Sequence, residues 1–489
     1  MSDNWFHDRL AGYGDRCAIV WREREFSYVD LLRRVEQWQN ALAERGIEPG
    51  QCVALSGGFS PGTATLLTAL AANRNIAVPL TTKVRAERDR ALKIAAVRWI
   101  VEFDRNDGWK ISPLQKGTVP FSSDENRDSP QSDENRDSPQ SDASPQADES
   151  RDGSPAEPPL LEELRKNNEA GLIVFSSGST GEVKASLLSF TRLLNGYRDR
   201  RATPLRTLAF LMLDHVGGIN TLFHILAGGG TIVTLAERTP EAICGGIERH
   251  RVQLLPTTPT FLRMLLISEA YKKHDLGSLE LITYGTEPMP EATLKALHAA
   301  LPGVRLKQTY GLTEVGILPT KSERNDSLWL AVGGKGFETK VVDGVLWIRS
   351  ATAMIGYLNA PSPFDDEGWM NTGDLVEQQG EYIRFVGRKS EIINIGGEKV
   401  FPIEVENVIQ QVENIKDVTV RGRSNPITGN IVIATVELHE PEDADAVEKR
   451  VRNACRASLA PFKVPAMVEI AEETLCGERF KKKRKVGEL

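Results

Sequence analysis

Short apolar runs alternate with amphipathic stretches along the first two thirds of the chain. Cys17–Trp21 and Cys52–Leu55 are typical of buried strands, whereas Tyr28–Arg45 carries apolar residues at helical spacing. Strands that alternate with helices predict a parallel, doubly wound α/β sheet. The same reasoning predicts a helix near Phe190–Asp199 and further strands at Gly171–Phe175, Thr207–Met212, Gly230–Leu235, Gln253–Leu255, Leu281–Tyr284 and Val304–Lys307.

The pattern changes from Lys340 onwards, where short strands follow one another without intervening helices. The last hundred residues mix strands and helices again, around a Gly396-Gly397 bend and a helix that Pro402 opens. We therefore predict a domain boundary near Gly387–Ser390.

Composition supports a large folded protein. The chain has 489 residues, of which 40% are hydrophobic and 26% charged. This length allows two to four domains. The composition excludes a chain that is disordered throughout, a collagen and a small disulfide scaffold.

The net charge of −7 comes from one segment. Residues 123–157 hold 11 acidic and 3 basic side chains, so the remainder of the chain is nearly neutral. This segment repeats SDENRDSPQ at 123–131 and 132–140, and its apolar residues are three alanines. It cannot offset the entropy cost of ordering, so we predict a disordered surface insertion at about 122–158. The segment could serve as a tether or a phosphorylated loop. Alternatively, it could be an insertion without a function that a surface loop tolerates.

The cysteines and the N-terminal residues indicate the cellular compartment of the protein. The five cysteines are scattered and form no CxxC pair, which is typical of reduced thiols in a cytoplasmic protein. The first residues lack the pattern of a signal peptide. The longest apolar region, Leu208–Ala236, is interrupted by polar residues and predicts buried core, not a membrane span.

Four loops carry candidate chemistry. Ser176–Lys184 follows an apolar strand and offers glycines, hydroxyls and a lysine to phosphate oxygens, although it lacks the Walker A pattern and an ordinary turn would look similar. Gln308–Glu314 could hold a phosphate and a hard cation, or merely cap a helix. Asn371–Asp374 could bind a ribose diol or form an Asx turn. Gly387–Glu406 is a turn, a strand and a Gly-Gly bend that lead into a helix.

Taken in this order and at these separations, the four loops resemble the adenylate-forming (AMP-binding) superfamily. The resemblance covers essentially the whole chain except the insertion, and GGEKVFPIEVE most resembles the acyl-CoA synthetase branch. It implies a large N-terminal domain of doubly wound sheets plus a distorted β-barrel at 1–387. It also implies a small, mobile α+β domain at 388–489, with a hinge near 388–390.

The resemblance also implies roles for individual residues. Thr313 would contact phosphate, Glu314 would bind Mg²⁺, Asp374 would bind ribose and Arg388 would lie beside it. The remaining nucleotide-binding residues by this resemblance are Ser176, Ser177, Gly178, Ser179, Thr180, Gly181, Lys184, Gly285, Thr286, Tyr310 and Gly311.

The family's catalytic lysine has several candidates here. Lys481 fits the spacing to Arg484, but Lys482 and Lys483 compete, and an alignment on Gly477 would put Glu478 at that position.

For the acid, the resemblance implies contacts with His215, Gly217 and Gly218. Asp214 leaves an amino-acid substrate open, because amino-acid-activating members place an aspartate nearby.

The activity implied is ATP-dependent conversion of a small carboxylic acid to acyl-AMP, followed by transfer to CoA. Transfer to the phosphopantetheine arm of a carrier protein, and a pseudo-enzyme that only binds nucleotide, are the alternatives within the family. The basic tail KKKRKV also resembles a nuclear-import signal, but the nearly neutral body favours an active-site role over nucleic-acid binding.

Overall fold

The computed structural model describes residues 4–80, 85–114, 157–177, 183–426 and 428–477. Six of the twelve helices begin at a hydroxyl or carboxylate side chain that accepts a hydrogen bond from the first turn; Ser27, for example, forms a capping box with Asp30. The helices are α1 (Trp5–Ala11), α2 (Tyr28–Glu44), α3 (Pro61–Ala72), α4 (Arg85–Ile94), α5 (Pro159–Lys166), α6 (Phe190–Asn195), α7 (Val216–Ala227), α8 (Pro240–His250), α9 (Pro259–Ser268), α10 (Glu291–Ala300), α11 (Pro402–Ile409) and α12 (Ala444–Ser458).

The strands are short, and many are buried on both faces. They are β1 (Cys17–Trp21), β2 (Arg24–Ser27), β3 (Cys52–Ser56), β4 (Ile76–Leu80), β5 (Trp99–Phe103), β6 (Trp109–Pro113), β7 (Gly171–Ser177), β8 (Val183–Ser189), β9 (Arg206–Leu208), β10 (Thr231–Val233), β11 (Leu254–Thr257), β12 (Leu281–Tyr284), β13 (Arg305–Gln308), β14 (Tyr310–Leu312), β15 (Gly316–Leu318), β16 (Thr320–Ser322), β17 (Leu330–Val332), β18 (Phe337–Val342), β19 (Val345–Ser350), β20 (Gly356–Tyr357), β21 (Met370–Gln379), β22 (Tyr382–Arg388), β23 (Ile393–Ile395), β24 (Glu398–Val400), β25 (Ile415–Asn425), β26 (Gly429–Leu438) and β27 (Met467–Ile470).

Two seven-stranded sheets form the body of the N-terminal part. The first has the order β13-β12-β11-β9-β10-β1-β2 and is parallel except for the β1–β2 hairpin. The second has the order β20-β8-β7-β4-β3-β5-β6, with a parallel centre and antiparallel edges. The doubly wound α/β class is therefore confirmed.

A shared layer of helices joins the two sheets. Apolar residues of α2, α3 and α7 pack with residues of both sheets in one core, which includes Ile19 and Ile232 of the first sheet and Val53 and Val174 of the second. Helices α8, α9 and α10 cover the outer face of the first sheet, and α4 and α5 cover that of the second. Two sheets that share one helical layer bring their loops to neighbouring edges.

An antiparallel six-stranded sheet follows, in the order β16-β17-β22-β21-β19-β18, around its own apolar core. Strand β22 ends at Arg388, and a single 3₁₀ turn, Lys389–Glu391, leads to the β23–β24 hairpin. Gly396 and Gly397, both with positive φ, make the bend of that hairpin. A three-stranded sheet (β25-β26-β27) then packs with α11 and α12.

The acidic insertion predicted at about 122–158 lies almost wholly outside the described residues, as do Gly178, Ser179, Thr180, Gly181 and Lys481. Within the part of the chain that the structure describes, no helix combines the length and the apolar character that crossing a bilayer requires.

Candidate active site

Strands β7 and β8 form the base of the predicted phosphate loop. They pair antiparallel, and Ser176 lies opposite Lys184 in the register. The apolar run before Ser176 is buried in the second sheet, which fixes the direction in which the chain leaves the strand. Ser176 and Lys184 therefore flank residues 178–182, at one end of a β-hairpin.

Lys184 is linked to Glu314 through Tyr357. The Lys184 Nζ lies 5.0 Å from the centroid of the Tyr357 ring, and the Tyr357 hydroxyl donates a 2.5 Å hydrogen bond to Glu314 Oε1. Burial and the Glu314 carboxylate raise the pKa of Tyr357, so the phenol keeps its proton and remains a donor. This contact holds the Glu314 carboxylate beside β8, the strand that follows residues 178–182 and is hereafter called the phosphate strand.

Thr313 and Glu314 belong to a tight hairpin, β14–β15. Leu312 pairs with Gly316, so both residues lie in the loop between the strands. Gly311 has to be glycine, because a Cβ there would lie 2.7 Å from the Gly316 carbonyl oxygen. Thr313 is half-exposed at this loop. The hairpin presents a hydroxyl and a carboxylate together.

The other end of the same hairpin reaches Asp374. The Tyr310 hydroxyl donates a 2.6 Å hydrogen bond to Asp374 Oδ2, and Arg388 Nε donates a 2.9 Å bond to Asp374 Oδ1. Tyr310 stacks on Phe385 with ring centroids 4.6 Å apart and an interplanar angle of 19°. Asp374 is buried and its two donors come from different elements, so the orientation of its carboxylate is fixed.

The Gly285-Thr286 loop leaves β12 at the carboxyl edge of the first sheet, where parallel α/β sheets bind ligands. The Thr309 backbone N–H donates a 2.7 Å hydrogen bond to the Tyr284 carbonyl. A Cβ on Gly285 would lie 2.5 Å from Thr309 Oγ1, so only glycine allows this approach. Thr286 has φ of 73°, a left-handed conformation that is uncommon for threonine. The loop is thereby placed next to Tyr310.

His215, Gly217 and Gly218 form the start of α7. His215 precedes the helix, and its carbonyl accepts hydrogen bonds from the Gly218 and Ile219 N–H groups. Gly217 is half-exposed. Gly218 is buried, and a Cβ there would lie 1.9 Å from the Met212 carbonyl oxygen. Gly218 therefore has a backbone reason to be glycine, because the chain at residue 212 lies directly against it.

The last described residues approach the same region. Glu437 Oε2 accepts hydrogen bonds from Leu475 N (3.0 Å) and Thr474 Oγ1 (3.2 Å). Cys476 lines a cleft together with Glu287, the residue after Thr286. The described chain thus ends at Gly477 near the Gly285-Thr286 loop.

The structure brings most of the predicted nucleotide-binding residues together, since the β14–β15 hairpin connects the phosphate strand to Asp374 and lies beside the Gly285 loop. It also adds Tyr357 and Phe385, which sequence reasoning missed. Each is an isolated aromatic residue in the sequence, outside the four loops, so its role depends on strand pairing alone.

The chain matches two family descriptions. Residues 6–358 match the AMP-binding enzyme family, and residues 404–477 match the C-terminal domain of AMP-binding enzymes. The chain is 29% identical to indoleacetate–CoA ligase of Aromatoleum aromaticum, over 95% of this chain and 93% of that protein. It is 25% identical to 2-succinylbenzoate–CoA ligase of Bacillus pumilus, over 96% and 94%.

Solved structures have the same fold. An anthranilate CoA ligase in complex with anthranoyl-AMP superposes with a TM-score of 0.77 at 20% identity, covering 98% of this chain and 95% of that one. The amide bond synthetase McbA from Marinactinospora thermotolerans gives 0.75 at 21%, covering 98% and 97%. The fold and the site define an adenylate-forming enzyme. The chain belongs to the AMP-binding enzyme family.

Proposed function

We propose that this protein activates a carboxylic acid with ATP, releases pyrophosphate, and transfers the acyl group from acyl-AMP to the thiol of CoA. It is an AMP-forming acid–thiol ligase. The single observation that carries the assignment of residues is that the β14–β15 hairpin joins Glu314, beside the phosphate strand, to the Tyr310–Asp374–Arg388 cluster. The full-length match to CoA ligases supports the thiol acceptor.

ATP would lie along the hairpin. The serines and Lys184 at the base of 178–182 supply donors to the phosphates, and Asp374 accepts hydrogen bonds from the ribose. The Asp374 oxygens each accept one bond from the protein and keep a further lone pair. Tyr310, already stacked on Phe385, and the Gly285-Thr286 loop would form the walls for adenine.

Mg²⁺ fits Glu314 as its one protein carboxylate. Among the described residues there is no group of three metal-ligating side chains, and Mg²⁺ commonly uses one or two carboxylates together with substrate phosphates and water. Tyr357 orients the carboxylate through one oxygen, which leaves the other for the ion. Bound there, the ion would neutralise phosphate charge.

The chemistry needs alignment more than acid–base catalysis. The substrate carboxylate is ionised at pH 7, so it attacks the α-phosphorus without a general base. A lysine near the α-phosphate would reduce the repulsion between the two anions. We assign this role to Lys481, which follows Gly477 by four residues, a reach of up to about 14 Å in extended chain. His215 and Gly217 would contact the acid.

The two domains would divide the reaction. The N-terminal domain, 1–387, holds the nucleotide and the acid, and the C-terminal domain, 388–489, carries the lysine. Rotation at residues 388–390 would withdraw the tail after adenylation and bring the Gly396-Gly397 bend towards the thioester step. The 3₁₀ turn that contains Ser390 is a short connection, typical of a hinge.

ATP–pyrophosphate exchange over a panel of carboxylic acids tests the proposal. We expect acid-dependent exchange, and acyl-CoA with stoichiometric AMP when CoA is added. Exchange without a CoA product would point to a carrier-protein thiol or to an amine as the acceptor. No exchange with any acid would overturn the assignment as an enzyme.

A further inference from the structure

Helix α9 contacts the proposed nucleotide site at its start and the C-terminal domain along its side. In its first turn, the Thr260 backbone N–H donates a 2.7 Å hydrogen bond to Glu287 Oε1, next to the Gly285-Thr286 loop. Three residues later, Arg263 Nη2 donates a 3.3 Å bond to the carbonyl of Ile415, the first residue of β25. Positions 260 and 263 share one face of the helix. Because Glu287 pairs with an N–H that has no partner within the helix, it ties the start of α9 to the nucleotide site.

A cleft lies between α9 and the C-terminal domain, and Arg263 is one of the residues that line it. Around Arg263 the wall that α9 contributes is mainly apolar. The opposite wall carries carboxylates of the C-terminal domain, including those of Asp417 and Glu437. Thr474 and Cys476, close to the end of the described chain, line the same cleft. The hydrogen bond from Arg263 to β25 therefore joins the two walls.

The charge of Arg263 is compensated from the C-terminal domain. The side chain is half-buried, and burial lowers the pKa of Arg263, whereas the carboxylates of Asp417 and Glu437 act in the opposite direction. Arginine keeps its proton in proteins, so burying the cation costs free energy that nearby carboxylates reduce. Rotation of the C-terminal domain would remove both carboxylates and the hydrogen bond to β25 at once.

Glu437 also holds the last described residues. Its Oε2 accepts hydrogen bonds from Thr474 Oγ1 and Leu475 N, and its Oε1 pairs with Lys416 Nζ at 2.5 Å. Lys416 follows Ile415, so the carbonyl that α9 contacts lies beside the Lys416–Glu437 pair. The orientation that joins α9 to β25 is therefore also the one that places Thr474 and Leu475 at the cleft.

We infer that Arg263 is a positioning residue for adenylation: its contacts with Ile415 and with the carboxylates of Asp417 and Glu437 hold the C-terminal domain in the orientation that adenylation requires. In this orientation the end of the described chain lies near the Gly285-Thr286 loop. The inference rests on the proposed function, which assigns adenylation to this orientation and thioester formation to a rotated one. Arg263 acts through the position of the domain and not on the reacting atoms.

Separate assays of the two half-reactions test this inference. Arg263→Met removes the charge and the hydrogen bond but keeps most of the side-chain length. We expect pyrophosphate exchange to fall about tenfold, the cost of one hydrogen bond from a charged group. The rate of thioester formation from added acyl-AMP and CoA should not fall, because that step uses the rotated orientation. Unchanged pyrophosphate exchange, or an equal loss in both half-reactions, would overturn the inference.

Arg206→Met is the matched control. Arg206 is also half-buried, and its Nε donates a 2.7 Å hydrogen bond to the His250 carbonyl. Both residues belong to the N-terminal domain, on β9 and α8, so this bond does not depend on domain orientation. The ratio of the two half-reaction rates should therefore stay at the wild-type value. An equal fall of this ratio in Arg206→Met and Arg263→Met would contradict a specific role for Arg263.

Amide hydrogen exchange distinguishes failure of this inference from failure of the proposed function, because it needs no substrate. In Arg263→Met, the N–H groups at the start of β25 and of Leu475 should exchange faster than in the wild-type protein and in Arg206→Met. Unchanged hydrogen exchange at these positions would overturn the inference, whether or not the protein is active. If hydrogen exchange rises there but no carboxylic acid supports pyrophosphate exchange, the proposed function fails while the role of Arg263 in domain orientation stands.

Discussion

Asp374 depends on two donors that approach from different sides. Asp374→Asn keeps the shape, but its single carbonyl oxygen cannot accept both the Tyr310 and Arg388 bonds with the strength of a carboxylate. We expect the KM for ATP to rise about tenfold or more, the cost of one hydrogen bond to a charged group. Glu377→Gln, on the same strand, removes only a surface ion pair with Arg384 and should leave KM within twofold. An unchanged KM in Asp374→Asn would exclude Asp374 from the nucleotide site.

A variant of Tyr357 tests whether its hydroxyl orients the Glu314 carboxylate. Tyr357→Phe removes only the hydroxyl that bonds to Glu314, so we expect kcat/KM for adenylation to fall about tenfold and more Mg²⁺ to be needed for half-maximal rate. Tyr13→Phe is a control of the same chemistry, since the Tyr13 hydroxyl bonds to the Ala227 carbonyl at the far end of α7. If both variants retain wild-type rates and Mg²⁺ dependence, Tyr357 has no positioning role.

Replacement of the two glycines at the start of α7 by alanine should affect the stability of the protein to different degrees. In Gly218→Ala the new methyl would collide with the Met212 carbonyl, and we expect a loss of about 1–3 kcal/mol in the free energy of unfolding. In Gly217→Ala the methyl would lie 3.2 Å from the end of the flexible Leu211 side chain, and the stability should stay within about 1 kcal/mol of wild type. Denaturant unfolding measures both. Equal stability of the two variants would mean that the backbone at 212 moves freely.

At this scale the sequence identified residues that lie in glycine-containing loops, and the family resemblance placed Arg388 beside Asp374, whereas Tyr357 and Phe385 were missed. Asp374 and Arg388 are 14 positions apart, but they are register partners on adjacent strands. Tyr357 reaches Glu314 because β20 pairs with β8. Neither pairing has a local signal in the sequence. Gly218, which the resemblance assigns to the acid site, also allows a close backbone approach to Met212 that no local sequence pattern signals.

At the scale of elements, the sequence placed the strongly patterned segments well. The predicted helix at Tyr28–Arg45 ends one residue earlier in the structure, and Leu281–Tyr284 is a strand with the predicted bounds. The strand predicted at Thr207–Met212 is too long, because the observed strand, Arg206–Leu208, is followed by a loop that leads to α7. Apolar residues in that loop are buried without being extended, which a hydrophobic run cannot reveal.

Strand β26 holds Thr474 and Leu475 through Glu437, and this gives a prediction about the half-reactions. Glu437 also pairs with Lys416 Nζ at 2.5 Å, and the neighbouring Ile415 carbonyl accepts a 3.3 Å bond from Arg263 of α9. Glu437→Gln should loosen Leu475 and Thr474 and reduce pyrophosphate exchange about tenfold, while thioester formation from added acyl-AMP changes little. An equal loss in both assays would indicate a general folding defect.

Glu448→Gln is the matched control for that experiment. It removes a half-buried pair with Arg452 on α12, in the same domain. Neither side chain forms a hydrogen bond with the described residues 471–477, and both half-reactions should persist.

At the scale of the molecule, the site exists because two sheets share one helical layer. The phosphate strand belongs to the second sheet, the Gly285 loop to the first, and Asp374 to the antiparallel sheet that follows. Each sheet alone would present a single polar loop, with too few contacts to bind a nucleotide tightly. Only their packing, which is specified by many apolar contacts far apart in sequence, makes one site of them. The sequence could suggest this arrangement through its resemblance to a family, but not through local pattern.

An isotope experiment tests the central claim most directly. The acid is supplied with both carboxyl oxygens as ¹⁸O, together with ATP and CoA. If the carboxylate attacks the α-phosphorus and a thiol then displaces AMP, one ¹⁸O appears in AMP and one remains in the thioester. Label in inorganic phosphate with ADP as the product, or AMP without label, would contradict the account.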